Sequence, residues 1–201
     1  MLQPAHRYFV LNKPYNMVSQ FVSSHNVPLL GNLNFNFPPG THAIGRLDKN
    51  SEGLLLLTTN KAITKLLFQS QTPHVRTYYV LVQHTVSPQN LQRLQNGISF
   101  IIKNGVNYTM PPCQVSIIPT PTINTTTNYI QSPNAAYTWL SISLTEGKYH
   151  QVRKMVQAIG HKCKRLIRVS IENLHIENLA PSQVCEICEA DFFSKLNLEV
   201  Y

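Results

Sequence analysis

Residues 43–60 read AIGRLDKNSEGLLLLTTN, and the order of residue types in this stretch governs how the rest of the chain is read. Residues 54–57 are four consecutive leucines, preceded by Gly53 and followed by Thr58, Thr59 and Asn60. An apolar run that short, bounded by turn residues, predicts a strand buried on both faces. Residues 49–53, KNSEG, form the polar turn that feeds it, and Ile44 to Asp48 lead into that turn. A strand covered on both sides needs helices or further chain above and below. Asn60 supplies an N-cap for a short helix reaching Phe68, with Ile63, Leu66 and Leu67 on one side.

Outward from this centre the periodicities alternate between the two kinds of element. Residues 7–13, RYFVLNK, read as a strand that runs into a turn at Pro14, and residues 23–41 are Asn-, Pro- and Gly-rich loop. Residues 77–86, TYYVLVQHTV, are strand by composition. Ser87 and Pro88 make an N-cap and first helical position for a helix carrying Leu91 and Leu94 and closed by Gly97. Residues 138–147, TWLSISLTEG, alternate strictly, with Leu140, Ile142 and Leu144 on one face. Val152, Met155, Val156 and Ile159 then recur at helical spacing up to Gly160, with Arg153 at the boundary of that stripe. Residues 166–171, LIRVSI, are one more strand. Residues 119–136 carry no charge and three prolines, which predicts a long surface loop. There is no strict strand–helix–strand rhythm and no internal repeat. The expected fold is α+β, a single domain over residues 1–201 built on a mixed, largely antiparallel sheet flanked by helices.

The charges are few and segregated. Seventeen Lys and Arg oppose nine Asp and Glu in 201 residues, for a net charge of +8, although charged residues make up only 13%. Lys148, Arg153, Lys154, Lys162, Lys164, Arg165 and Arg168 fall between Thr145 and Ser170, opposed by Glu146 alone. The first 145 residues hold two carboxylates, Asp48 and Glu52. Such a basic segment suits a polyanion, since each phosphate it neutralises releases counterions, and nucleic acid is the expected partner. No apolar run reaches the roughly 18 residues of a membrane span, and the first residues contain no signal-peptide pattern, so a cytoplasmic protein is expected. Cys185 and Cys188 have CxxC spacing with no second pair to complete a zinc site, and they read as ordinary thiols; no metal is expected.

Asp48 stands out because carboxylates are so scarce around it. On position alone it is either a side chain capping the KNSEG turn or a functional acid. No phosphate-cradling glycine loop, HExxH or GxSxG motif accompanies it, which weighs against ATP-driven and metal-dependent chemistry.

Three other segments bear on that choice. LNKPYNMVSQF (residues 11–21), RTYYV (76–80) and EGKYHQVRKMVQAIGHKCKRLIR (146–168) accompany GRLDKNSEGLLLLT in one order. Together they resemble the conserved segments of the RNA pseudouridine synthases, in their ribosomal-RNA-modifying branch, over nearly the whole chain. The resemblance implies an isomerase that converts a specific uridine, in 23S ribosomal RNA, to pseudouridine by flipping the base out of its stack. It implies Asp48 as nucleophile or base, Tyr78 as the tyrosine stacking on uracil, and Arg153 as the arginine that keeps Asp48 ionised and oriented. Breaking a C–N glycosidic bond and forming a C–C bond involves no net redox change, so no cofactor is expected. Arg46 beside the nucleophile would fill the vacated space or clamp a phosphate. Lys13, Lys148, Lys154, Lys162, Lys164, Arg165 and Arg168 are the further expected RNA contacts, Lys13 being equally a candidate for a structural ion pair. A monomer is expected.

Two features depart from the family pattern. Glu172 stands where a glycine is usual after the last strand, and a left-handed turn there suits glycine better. The 119–136 loop is polar where the family is often basic, which argues against an RNA contact there. Most relatives carry an S4-type RNA-binding module ahead of the N-K-P segment; that segment begins near residue 8 here, so no such module is expected. Two competing readings are a non-catalytic RNA-binding or ribosome-assembly protein of the same fold, and a small zinc module around Cys185 and Cys188.

Overall fold

Chain order in the computed structural model begins with β1 (Tyr8–Lys13), β2 (His42–Ile44), β3 (Glu52–Thr58), α1 (Ile63–Phe68), β4 (Arg76–Gln83) and α2 (Pro88–Gln95). It continues through β5 (Ser99–Ile101), β6 (Asn107–Thr109), β7 (Gln114–Ile118), β8 (Tyr137–Leu144) and α3 (Gln151–Ala158). β9 (Cys163–Ile171), β10 (Leu174–His175), β11 (Val184–Ile187) and α4 (Glu189–Lys195) complete it. The structure describes residues 6–68, 72–102, 105–124, 132, 135–176 and 178–199. Half of the 119–136 loop, residues 125–131 and 133–134, therefore lies outside the described residues. The fold is α+β with a largely antiparallel sheet, as the periodicities predict, and the described residues divide into two compact units.

The first unit comprises residues 1–74, 123–127 and 168–201. β3 is its centre: all seven residues are buried, and it pairs antiparallel with β1 (Leu11 opposite Leu55) and with β2 (Ala43 opposite Leu57). β1, buried at all six positions, pairs on its other edge with β11. Two-faced burial explains the loose alternation of RYFVLNK: both faces are interior, so neither is reserved for polar residues. α1 starts at Ile63, three residues after Asn60, whose side chain accepts from the Ala62 amide at 3.0 Å. Ile63 and Leu67 are buried and Leu66 is only partly so. Aromatic packing covers the start of β1 on both faces. Tyr8 meets Phe192 and Phe193 of α4, and Phe9 meets Phe35 and Phe37 edge-on. Cys188 is the N-cap of α4, its Sγ accepting from the Asp191 amide at 3.4 Å, and Cys185 lies on β11.

Glu172 takes the left-handed conformation that a glycine would, with φ of 48°. Its carboxylate is held at both oxygens, by Asn197 Nδ2 at 2.9 Å and beside His74 Nδ1 at 3.4 Å. Side-chain contacts thus accompany a backbone geometry that is uncommon for a residue with a Cβ.

The second unit comprises residues 75–122 and 128–167. β4, β8 and β7 pair antiparallel in that spatial order, with Tyr78 opposite Ile142 and Ile117 opposite Leu140. β5 and β6 form a separate hairpin. Ser87 Oγ caps α2 by accepting from the Asn90 amide at 3.2 Å, with Pro88 at the first helical position. Asn90 Nδ2 in turn donates to the Ile159 carbonyl at the end of α3. The apolar stripe read in residues 149–159 packs as one cluster: Val152, Met155, Val156 and Ile159 with Val80, Val82, Leu140, Ile142 and Leu144.

Candidate active site

Asp48 is carried by a loop whose main chain is fixed on both sides. Upstream, Gly45 has φ of 70°, and a Cβ there would stand 2.6 Å from the Phe68 ring, so the chain can pass α1 only as glycine. Next to Asp48, buried Leu47 is bonded twice to one side chain. Ser19 Oγ accepts from the Leu47 amide at 3.0 Å and donates to the Leu47 carbonyl at 2.9 Å. Downstream, the Asp48 carbonyl accepts from the Ser51 amide at 3.0 Å, which closes the KNSEG turn through the backbone. Asp48 itself is half-buried, and Arg46 is exposed.

Charges occupy the interior of the same unit. Lys13 is fully buried at the end of β1, and its Nζ donates to the carbonyls of Pro14 at 2.9 Å and Met17 at 2.7 Å. Burial pushes its pKa down to about 8, against the upward pull of Glu52 and Asp48, while Arg168 pushes it further down. Glu52 and Arg168 are buried too, and Arg168 Nε donates to the Leu54 carbonyl at 2.8 Å. Two carboxylates and two cations therefore share one low-dielectric region, where a neighbouring charge acts more strongly than it would in water. Asn12, also buried, donates through Nδ2 to the Leu179 carbonyl at 2.8 Å and the Asn124 carbonyl at 3.2 Å. The N-K-P segment therefore anchors loops with its Asn, backs the Asp48 loop with its Lys, and leads to Ser19.

In the second unit, Tyr78 lies on β4, half-buried against the apolar cluster. Arg76 precedes it, buried, with Nη2 donating to the Thr145 carbonyl at 3.3 Å. A Cβ at position 147 would meet Arg76 Nη1 at 2.9 Å, so Gly147 leaves room for this guanidinium. The adjoining turn is built by its own side chains. Tyr108 Oη donates to Glu146, Gln151 Nε2 donates to Glu146 at 2.5 Å, and Gln151 Oε1 accepts from the Lys148 amide at 2.7 Å. Arg153, half-buried on α3, donates through Nη1 to Cys163 Sγ at 3.6 Å. Burial pushes the Cys163 thiol up to about 11 despite the opposing effect of Arg153, so it is protonated at neutral pH.

The cations expected at an RNA surface thus fall into two groups. Arg46, Lys148 and Lys162 are exposed, and Lys154, Lys164 and Arg165 are partly so, Arg165 lying 5.9 Å from the Trp139 ring centroid. Lys13 and Arg168, by contrast, are interior, with Lys13 Nζ and Arg168 Nε donating to backbone carbonyls. An apolar neighbourhood could have announced this, since every residue of β1 is buried and so are residues 166–171 of β9. Ser19, Glu146 and Gln151 were not foreseen from the sequence; the one signal for Ser19 is a hydroxyl in an otherwise largely apolar turn. Among the described residues no group of three or more His, Cys, Asp or Glu could hold a metal ion. No helix among them is long and apolar enough to cross a membrane.

Comparison with known proteins bears on all four segments at once. The sequence profile of a family described as RNA pseudouridylate synthase matches residues 7–158. The ribosomal large subunit pseudouridine synthase E of Xanthomonas axonopodis pv. citri is 34% identical over 86% of this chain and 89% of its own length. The protein of the same name from Vibrio parahaemolyticus is 33% identical over 90% of this chain and 74% of its own. Ribosomal small subunit pseudouridine synthase A of Yersinia pestis is more distant, at 26% identity over 88% and 67%. Among solved structures, the crystal structure of a pseudouridylate synthase superposes with a TM-score of 0.76 at 24% identity, covering 98% of this chain and 76% of that one.

Proposed function

Because this chain belongs to the RNA pseudouridylate synthase family, and is therefore an isomerase, we propose that it converts one uridine of ribosomal RNA to pseudouridine. The relatives of highest identity above are named for the large ribosomal subunit, which supports 23S rRNA, free or in a precursor particle, as the substrate. We place the reaction in the cytoplasm and assign it to a monomer.

In this reading Asp48 opens the reaction as nucleophile or base. The N1–C1′ bond of uridine breaks, the uracil turns, and a C5–C1′ bond forms; the C5 proton is lost and N1 gains one, so atoms and electrons balance within the nucleoside. Arg153 keeps the Asp48 carboxylate ionised, Tyr78 stacks on the uracil, and Arg46 occupies the space that the flipped base vacates. The observation that carries this assignment is the fixation of the Asp48 main chain by Ser19 on one side and Ser51 on the other. Catalysis demands a positioned group, and a displacement of even 1 Å lowers rate steeply.

The test is Asp48→Asn, a nearly isosteric change that removes the charge. Under single-turnover conditions with a 23S rRNA transcript, pseudouridine formation falls by at least about 10³-fold, while RNA affinity and the unfolding midpoint stay near wild type. Turnover within about tenfold of wild type would remove Asp48 from the reaction.

A further inference from the structure

The basic segment that begins α3 presents more than charge. Tyr149 is 62% exposed, more than any other Phe, Tyr or Trp among the described residues. The imidazole of His150 stacks on it, with ring centroids 3.9 Å apart and planes within 16°. Lys154 Nζ, one turn along α3, stands 5.6 Å from the same ring centroid. Lys148 is exposed and lies 5.2 Å from the Tyr108 ring. Two flat rings in parallel contact, Tyr149 exposed and His150 partly so, bordered by ammonium groups, have the chemistry of a nucleobase platform: a π-face for the base, cations for its phosphate.

The turn holds this pair in place. His150 has φ of 54°, an uncommon conformation for a residue with a Cβ. The Gln151 amide donates to the Lys148 carbonyl at 3.0 Å, and the Gln151 side chain spans Lys148 and Glu146. Glu146, the only carboxylate of the segment, accepts from Tyr108 and Gln151, so its negative charge is directed into the turn. An aromatic ring needs none of this to sit on a surface. A ring that is to receive a base gains from it, because a platform ordered in advance loses little entropy on binding.

We propose that Tyr149 and His150 form a stacking subsite for an unpaired base of the RNA substrate, with Lys154 and Lys148 contacting the adjoining phosphates. The subsite rests on the reading of the protein as an RNA enzyme and adds to it a place where RNA is recognised through a base rather than through charge alone.

Two strands of equal length and charge separate the two kinds of recognition: a short oligoadenylate and an abasic strand of the same backbone. Neither contains uridine, so neither can be isomerised. Dissociation constants are measured for the wild-type protein and for Tyr149→Ala and Tyr149→Phe, with thermal unfolding of each variant as a control on folding. Tyr149→Ala weakens oligoadenylate about tenfold and leaves the abasic strand close to wild type, whereas Tyr149→Phe keeps most of the affinity for both. Equal affinities of wild type and Tyr149→Ala for oligoadenylate overturn the subsite, and so does an equal loss on both strands. Conversion of uridine in 23S rRNA, measured on the same wild-type preparation, tests the broader reading separately: an active enzyme with an unaffected Tyr149→Ala loses only the subsite, and a wild type that neither converts uridine nor binds these strands loses both.

Discussion

A single hydroxyl fastens the loop that carries Asp48, and that makes Ser19 a positioning residue with a measurable effect. Ser19→Ala leaves the amide and the carbonyl of Leu47 buried without their partner, a loss of about 1–3 kcal/mol in stability. The single-turnover rate at saturating RNA falls by about tenfold or more while the dissociation constant for RNA holds, because the loss is one of positioning. A variant with normal rate and lowered stability would confine Ser19 to a structural part. Lys13 offers a second test. Its folded pKa of about 8 lies below the 10.5 of the ordinary group. Between those values the unfolded chain holds more protons than the native one, so the Lys13 contribution rises with pH through this window and is lost as pH falls through about 8. Tyr8 and Tyr108, pushed up to about 12, and Cys113 and Cys163, pushed up to about 11, act in the opposite sense: their contribution is present at low pH and is lost as pH rises through those values. Comparison with Lys13→Met cancels them. Urea unfolding from pH 8 to 10 then shows a wild-type stability that rises relative to Lys13→Met by up to about 1.4 kcal/mol per pH unit. Parallel curves would place the Lys13 ammonium in water.

Elements built on one clear period were legible in the sequence, and elements set by long-range packing were not. β8 and α3 bury the faces that their alternation and helical stripe predict, although Trp139 of β8 and Gln151 of α3 are buried as well. β3 was legible for the opposite reason, a run with no polar face at all. β10, β11 and α4 gave no such signal: β11 is short, edge-lying and half polar, and it becomes a strand only because β1 offers it a partner. α3 and the start of β9 also divide the basic segment by task. If Arg153 orients Asp48, Arg153→Ala lowers the single-turnover rate far more than it weakens RNA binding. Lys162 and Lys164, if they contact phosphates, do the reverse. Their double alanine variant weakens all RNAs alike and flattens the slope of log K against log salt by roughly one to two units. An unchanged salt slope would take both lysines out of the RNA footprint.

Across the whole molecule, the segments that carry the family resemblance are those that carry the geometry at the candidate site. The N-K-P segment supplies the anchor Asn12, the buried Lys13 and the Ser19 brace, and the E-G-K segment supplies the Glu146–Gln151 turn. A motif reports which residue types must be present, but it does not report which way they face. Arg168 therefore reads as an RNA contact in the sequence, and Lys13 as an RNA contact or half of an ion pair, and both are interior in the fold. Net charge escapes that blind spot: the interior Lys13 and Arg168 are matched by Glu52 and Asp48, so the whole of the +8 is carried by the other residues and can meet a polyanion. The most direct test of the account is made in cells that lack this chain, by mapping pseudouridines across their ribosomal RNA and restoring either the wild-type protein or Asp48→Asn. The account predicts that a specific 23S position loses its pseudouridine, regains it with the wild type, and stays unmodified with Asp48→Asn; an rRNA map unchanged by loss of the chain, or restored in full by Asp48→Asn, would contradict it.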